Sequence, residues 1–268
     1  MSQIASPFEF HSGSVPLLIS MPHSGTQLPP EVAQGLTPVA QTLPDTDWFI
    51  PTLYQSAEKL GASVISANYS RYVVDLNRPV DDKPLYTTKT TGLFPEILFD
   101  STPVFVDGKA PTAQDREHYK QQIWHPYHDQ IASELERLKS AFGYAILFDA
   151  HSIAAHVPML FEGKLTDFNW GTNQGESCNQ GLVDAVTSTI TDEYSQVVNG
   201  RFKGGFITRG FGNPGEHIHA IQLELSQDTY LNNEALAQGR YQLDSQKAPA
   251  IQRQIEALLK ALLAVKFS

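Results

Sequence analysis

The chain has 268 residues, 41% of them hydrophobic, which is enough to bury a substantial core and fits one large domain spanning residues 1–268. Its formal charge of −10, from 19 basic and 29 acidic residues, argues against nucleic acid or an anionic membrane as a partner, because both bind through clustered positive charge. The lone cysteine, Cys178, excludes an intramolecular disulfide framework and a thiolate zinc site, so a metal here needs His and carboxylate ligands.

No apolar run reaches the ~18 residues needed to span a bilayer, and the first residues lack a basic stretch followed by an apolar one. The expectation is a soluble, cytoplasmic protein. An anionic small substrate would then have to be caught by local arginines, which directs attention to Arg71, Arg78 and Arg209.

Strands and helices alternate along the chain, the pattern of an α/β fold with a mixed, mostly parallel twisted sheet and helices on both faces. In order, strands are expected over Pro16–Ser20, Ala62–Ala67, Tyr72–Leu76, Tyr144–Asp149, Phe206–Arg209 and Ala220–Leu225. Helices are expected over Phe49–Leu60, from Thr112 to about Ser140 with a break at Pro126, and over Gln180–Ile190, Glu234–Gln242 and Pro249–Val265. Thr112 and Asp115 have the spacing of a helix-start capping pair. The long segments Asp81–Pro111 and Phe161–Ser177 are rich in turn-forming residues and weakly periodic, as active-site walls or plain surface loops would be.

The chemistry gathers at strand ends. His23, in Pro22-His23-Ser24-Gly25, leaves an apolar strand at a sharp turn, and His151 holds the matching place in Asp149-Ala150-His151-Ser152. An open zinc site takes three protein ligands, often two His and one carboxylate. Asp45 and Asp47 are the obvious carboxylates, with Asp47 chosen because it lies just before a helix. Asp149, two residues before His151 and on the same strand face, suits orientation of a ligand ring on His23 or His151; its alternative is a helix cap.

Asn77 and Arg78 end an apolar run with an amide and a forked cation, a device for gripping a carboxylate. Glu224, flanked by Leu223 and Leu225, is expensive to bury unless it is paired or used, and is the candidate general base. Gly210-Phe211-Gly212-Asn213-Pro214-Gly215 spells a dinucleotide fingerprint, but with Pro214 inside it and a strand beyond, it offers no helix start to a pyrophosphate. His125, His128 and Asp129 beside Pro126 read as packing or surface groups.

Taken together, Pro22-His23-Ser24-Gly25, Asp45-Thr46-Asp47-Trp48, Ser70-Arg71-Tyr72, Asp75-Leu76-Asn77-Arg78-Pro79, Asp149-Ala150-His151-Ser152, Leu160-Phe161-Glu162-Gly163, Asn199-Gly200-Arg201-Phe202-Lys203-Gly204-Gly205 and His219-Ala220-Ile221-Gln222-Leu223-Glu224 resemble the N-formylglutamate amidohydrolase family in order along nearly the whole chain. The resemblance implies a fold like the zinc carboxypeptidases and hydrolysis of N-formyl-L-glutamate to formate and L-glutamate, a step of histidine degradation. It implies one Zn²⁺ held by His23, Asp47 and His151, Glu224 as general base, Asn77 and Arg78 on a substrate carboxylate, and Arg71 on the formyl carbonyl or the second carboxylate. Ala154, Ala155 and Met159 stand where relatives often carry arginines, which leaves open the arginine that grips the side-chain carboxylate; Arg209 is a candidate. Two competing readings are an amidohydrolase for another N-acyl acidic amino acid and a catalytically silent binding module on the same fold.

Overall fold

The computed structural model describes residues 3–85 and 90–267. Among them a seven-stranded sheet runs in the order β1-β3-β2-β4-β7-β5-β6, with β1 Phe8–His11, β2 Leu17–Met21, β3 Ser63–Ala67, β4 Ala145–Ile153, β5 Phe168–Gly171, β6 Gln196–Val198 and β7 Ile218–Ser226. The four central strands, β3, β2, β4 and β7, are mutually parallel, while β1 and β5 join their neighbours β3 and β7 antiparallel. Every residue of β2 and β4 is buried, as continuous apolar runs covered on both faces require.

The helices are α1 Pro30–Gly35, α2 Ile50–Leu53, α3 Ser56–Lys59, α4 Ala113–Tyr119, α5 His125–Phe142, α6 Gln180–Thr187, α7 Phe206–Phe211, α8 Asn233–Ala237 and α9 Lys247–Ala264. Strand alternation divides the apolar side chains into two cores. Leu17, Ile19, Phe148, Ile221 and Leu223 pack with α2, α3, α6 and α9; Leu18, Ile65, Leu147 and Ala220 pack with α1, α4, α5 and α7. Towards the carboxyl ends of the strands, the second face turns polar at Ser20, Asp149, His151, Gln222 and Glu224.

β2 and β4 are neighbours, yet β2 leads on to β3 at one side and β4 leads on towards β5 at the other. Their connections diverge, which opens a crevice at their carboxyl ends.

Two expected strands have other structures. Tyr72–Leu76 is a buried series of turns: Val73 N–H donates to Ser70 O at 2.9 Å, Arg78 N–H to Asp75 O at 3.2 Å, and the Asp75 carboxylate takes the Asn77 N–H at 2.9 Å. A short buried apolar run has the same sequence signature whether it is extended or turned. Phe206–Arg209 is instead the first part of α7, whose Ile207 N–H is taken by the Asn77 side-chain oxygen at 2.9 Å, so a distant amide starts the helix.

Phe49–Leu60 is split into α2 and α3 at Tyr54–Gln55. The helix from Thr112 starts at the expected capping box and continues through Pro126, because the π-helical turn Lys120–Trp124 absorbs the mismatch just before the ring. The long loop over Asp81–Pro111 is described except at residues 86–89, where that reading lies outside the described residues. Phe161–Ser177 contains strand β5.

Candidate active site

His23 lies just past β2, where Ser24 Oγ donates to Met21 O at 3.0 Å and tightens the turn. Gly25 is required here, since a Cβ would lie 2.3 Å from Tyr69 O. The Asp47 loop is pinned to the same turn by an Asp47 N–H donating to His23 O at 3.0 Å. His151 comes from the seventh position of β4, directly opposite Glu224 in β7. Ligand atoms of His23, Asp47 and His151 lie within 4.8 Å of one another, and all three residues are buried.

The geometry decides which ring nitrogens face inward. Asp47 Oδ2 is 3.0 Å from His151 Nδ1 and 3.8 Å from His23 Nδ1. The opposite nitrogens are held by carboxylates: His23 Nε2 is 2.7 Å from Asp75 Oδ1, and His151 Nε2 is 3.2 Å from Asp149 Oδ2. Two imidazoles and a carboxylate, each ring backed by a second carboxylate, form a donor set suited to a divalent ion such as zinc. Asp149 therefore serves His151, and Thr208 Oγ1 of α7 donates to the same carboxylate oxygen at 3.2 Å. Asp45 turns away; its carboxylate takes the Phe99 N–H at 3.2 Å and is pushed up to about 6 by burial.

Asp75, fully buried, joins three parts of the site. Besides His23 it accepts from Arg71 Nη2 at 2.6 Å and from the Asn77 N–H at 2.9 Å. Burial alone would raise its pKa, but the Arg71 guanidinium first, then the hydrogen-bonded His23 and the Arg78 cation, hold the carboxyl well below the usual range. Burial and the nearby Arg71 push His23 down, whereas the Asp149 and Asp47 carboxylates overcome burial and hold His151 well above its ordinary value.

Glu224 is pushed up to about 8, by burial first and then by Asp47 and Asp149, with His151 and Arg71 opposing. Its neighbour Gln222 accepts the Gly205 N–H at 2.7 Å, which fixes the amide so that its NH₂ faces Glu224 Oε2 at 3.5 Å.

His23, Asp47, His151, Gln222 and Glu224 line one cavity together with Arg71, Asn77, Arg78, Phe99, Leu160, Arg201 and Phe202. Asn77 places its amide nitrogen 3.0 Å from His151 Nε2, and Arg78 is fixed by Thr91 O, Thr90 Oγ1 and Asn77 O. Arg71 lies 4.9 Å from the Phe99 ring centre. Arg209 sits on α7 with Nε donating to Gly204 O at 2.8 Å, and it does not line the cavity.

A family model described as N-formylglutamate amidohydrolase matches residues 15–231 of this sequence. The chain belongs to the N-formylglutamate amidohydrolase family. It is 56% identical over 258 residues, 95% of each chain, to a Pseudomonas aeruginosa protein named N-formylglutamate deformylase, and 52% identical over 257 residues to the Pseudomonas putida protein of that name, again 95% of each. The crystal structure of an N-formylglutamate amidohydrolase from Ralstonia eutropha JMP134 has the same fold, with a TM-score of 0.80 at 22% identity over 96% of both chains.

Within this family frame, the sequence reading passed over two groups that the fold brings to the site. Asp75 is separated from His23 by 52 residues, and only its place three residues before Arg78 hinted at a shared turn. Arg201 reaches the cavity from the segment after β6, and its signal was the surrounding run of glycines.

Proposed function

We propose that this protein is a zinc-dependent amidohydrolase that cleaves N-formyl-L-glutamate to formate and L-glutamate, on a fold akin to the zinc carboxypeptidases. The observation that carries the reading is the convergence of the carboxylate-backed His23–Asp47–His151 group, Glu224 and a set of arginines on one cavity. The names of the two Pseudomonas relatives supply the substrate.

His23, Asp47 and His151 would hold the metal, which when bound supplies Lewis acidity and a more acidic water. Glu224 takes a proton from the attacking water and passes it to the departing nitrogen. Burial keeps its proton affinity near neutrality, where both transfers are efficient. Arg71, held by Asp75, presents its charge where the formyl oxygen becomes negative. Asn77 and Arg78 take the substrate carboxylate beside the scissile amide.

The test is formate release from N-formyl-L-glutamate by the purified protein, with a chelator and then with zinc restored. Activity that is lost with chelator and returns with zinc is the expected result. No release from a folded, zinc-loaded sample would defeat the reading.

A second cavity of about 200 Å³ shares Phe99, Ser152 and Ile153 with the first and gives room for an acyl group longer than formyl. It favours, as a second reading, hydrolysis of another N-acyl acidic amino acid, and parallel assays of N-acetyl-L-glutamate would reveal it.

A further inference from the structure

N-Formylglutamate carries two carboxylates joined by a short apolar chain, so a selective site needs two cations at different depths with an apolar passage between them. Among the described residues, the arginines lining the cavity are Arg71, Arg78 and Arg201. Arg71 is committed to the buried Asp75 carboxylate at 2.6 Å and also faces Asp45 and Asp47. Arg78 follows Asn77, whose amide reaches the metal-ligating His151, so it belongs at the scissile end.

Arg201 comes from a different wall. Its Nε donates to Leu160 O at 2.5 Å, and its guanidinium lies 5.6 Å from the Phe202 ring centre, contacts that help to orient the charged fork. Leu160 and Phe202 belong to a small apolar cluster with Ile153, Val157 and Phe99. Ile153, Phe99, Leu160 and Phe202 also line the cavity, so the approach to Arg201 is greasy. That surface matches the two methylenes of a glutamate side chain, and its low polarity strengthens an ion pair made at its end.

Resting on the deformylase reading above, we propose that Arg201 is the specificity-determining residue that pairs with the side-chain carboxylate of the substrate, while Arg78 pairs with the carboxylate beside the amide. Arg209 braces the same segment from behind through Gly204 O.

The experiment compares N-formyl-L-glutamate with its neutral isostere N-formyl-L-glutamine in wild type, Arg201→Ala and Arg201→Lys. In Arg201→Ala, kcat/KM for the glutamate substrate should fall about 100-fold, while that for the glutamine substrate changes less than about threefold. Arg201→Lys, which keeps the charge but not the fork, should retain part of the preference and guards against a folding artefact in the alanine variant. Equal losses on both substrates, or an unchanged glutamate rate, overturn the assignment.

Calorimetric binding of the products L-glutamate and L-glutamine to the zinc-loaded proteins separates this proposal from the function itself. If wild type hydrolyses neither formyl compound, the deformylase reading fails, yet the binding arm still decides Arg201. A glutamate preference that disappears in Arg201→Ala supports it. A preference that persists, or that wild type lacks, overturns it.

Discussion

Glu224 sits opposite His151 in adjacent parallel strands, so its carboxylate is fixed by backbone register as well as by Gln222. Glu224→Gln keeps the shape and removes the proton acceptor; the expected outcome is a drop in kcat of about 10³-fold with bound zinc unchanged on metal analysis. Asp75→Asn should act differently. It weakens the grip on His23 Nε2, so zinc affinity in a competition titration should fall about 10–100-fold, with a matching loss of activity at limiting zinc. The two histidines were legible because each comes at the end of an apolar run, His23 just past β2 and His151 near the carboxyl end of β4, and strand ends face the crevice of such sheets. Local sequence could not separate Asp45 from Asp47. The tertiary fold does so by tying the Asp47 backbone to His23 and turning the Asp45 carboxylate to Phe99. Asp75 and Arg201 stand within the family-like motifs, but their roles were not legible, because their partners His23 and Leu160 lie on segments remote in sequence.

At the scale of elements, the central strands and the longer helices α5 and α9 follow from apolar periodicity, whereas the edge strands β1 and β6 are too short and too exposed to stand out. The two misread segments, Tyr72–Leu76 and Phe206–Arg209, meet each other in the fold. Asn77, just beyond the first, supplies the oxygen that starts α7 and its own amide nitrogen approaches His151. Gly205 makes that meeting possible, because a Cβ there would lie 2.2 Å from Asn77 Nδ2. Gly205→Ala should therefore displace Asn77, lowering stability by about 1–3 kcal/mol in denaturant unfolding and cutting formate release more than tenfold. A variant with wild-type stability and rate would show that the loop yields without disturbing the amide.

For the whole molecule, two apolar cores clasp the sheet, and acid sensitivity is built into one of them. His128 of α5 is buried, stacks on Trp124 with ring centres 3.7 Å apart, and gives its Nδ1 hydrogen to Trp124 O at 2.8 Å. Burial pushes it down to about 4 from an ordinary value of 6.5. Below pH 6.5 the unfolded chain takes up a proton that the folded chain refuses, so the contribution is intact above 6.5 and is lost as the pH falls towards 4. The slope reaches at most about 1.4 kcal/mol per pH unit. Thermal unfolding midpoints at pH 7 and pH 5 should differ more in wild type than in His128→Phe, and equal differences would remove His128 as a source. The buried Asp75 has a further consequence for how this molecule changes over time. One carboxylate serves His23, Arg71 and the Asn77 backbone at once, so lesions at these positions will not be additive, and a library that varies them singly will find few survivors. Arg201 is outside that shared bond. On the assignment proposed above, substrate range can drift at Arg201 while the group built around Asp75 is inherited as a block.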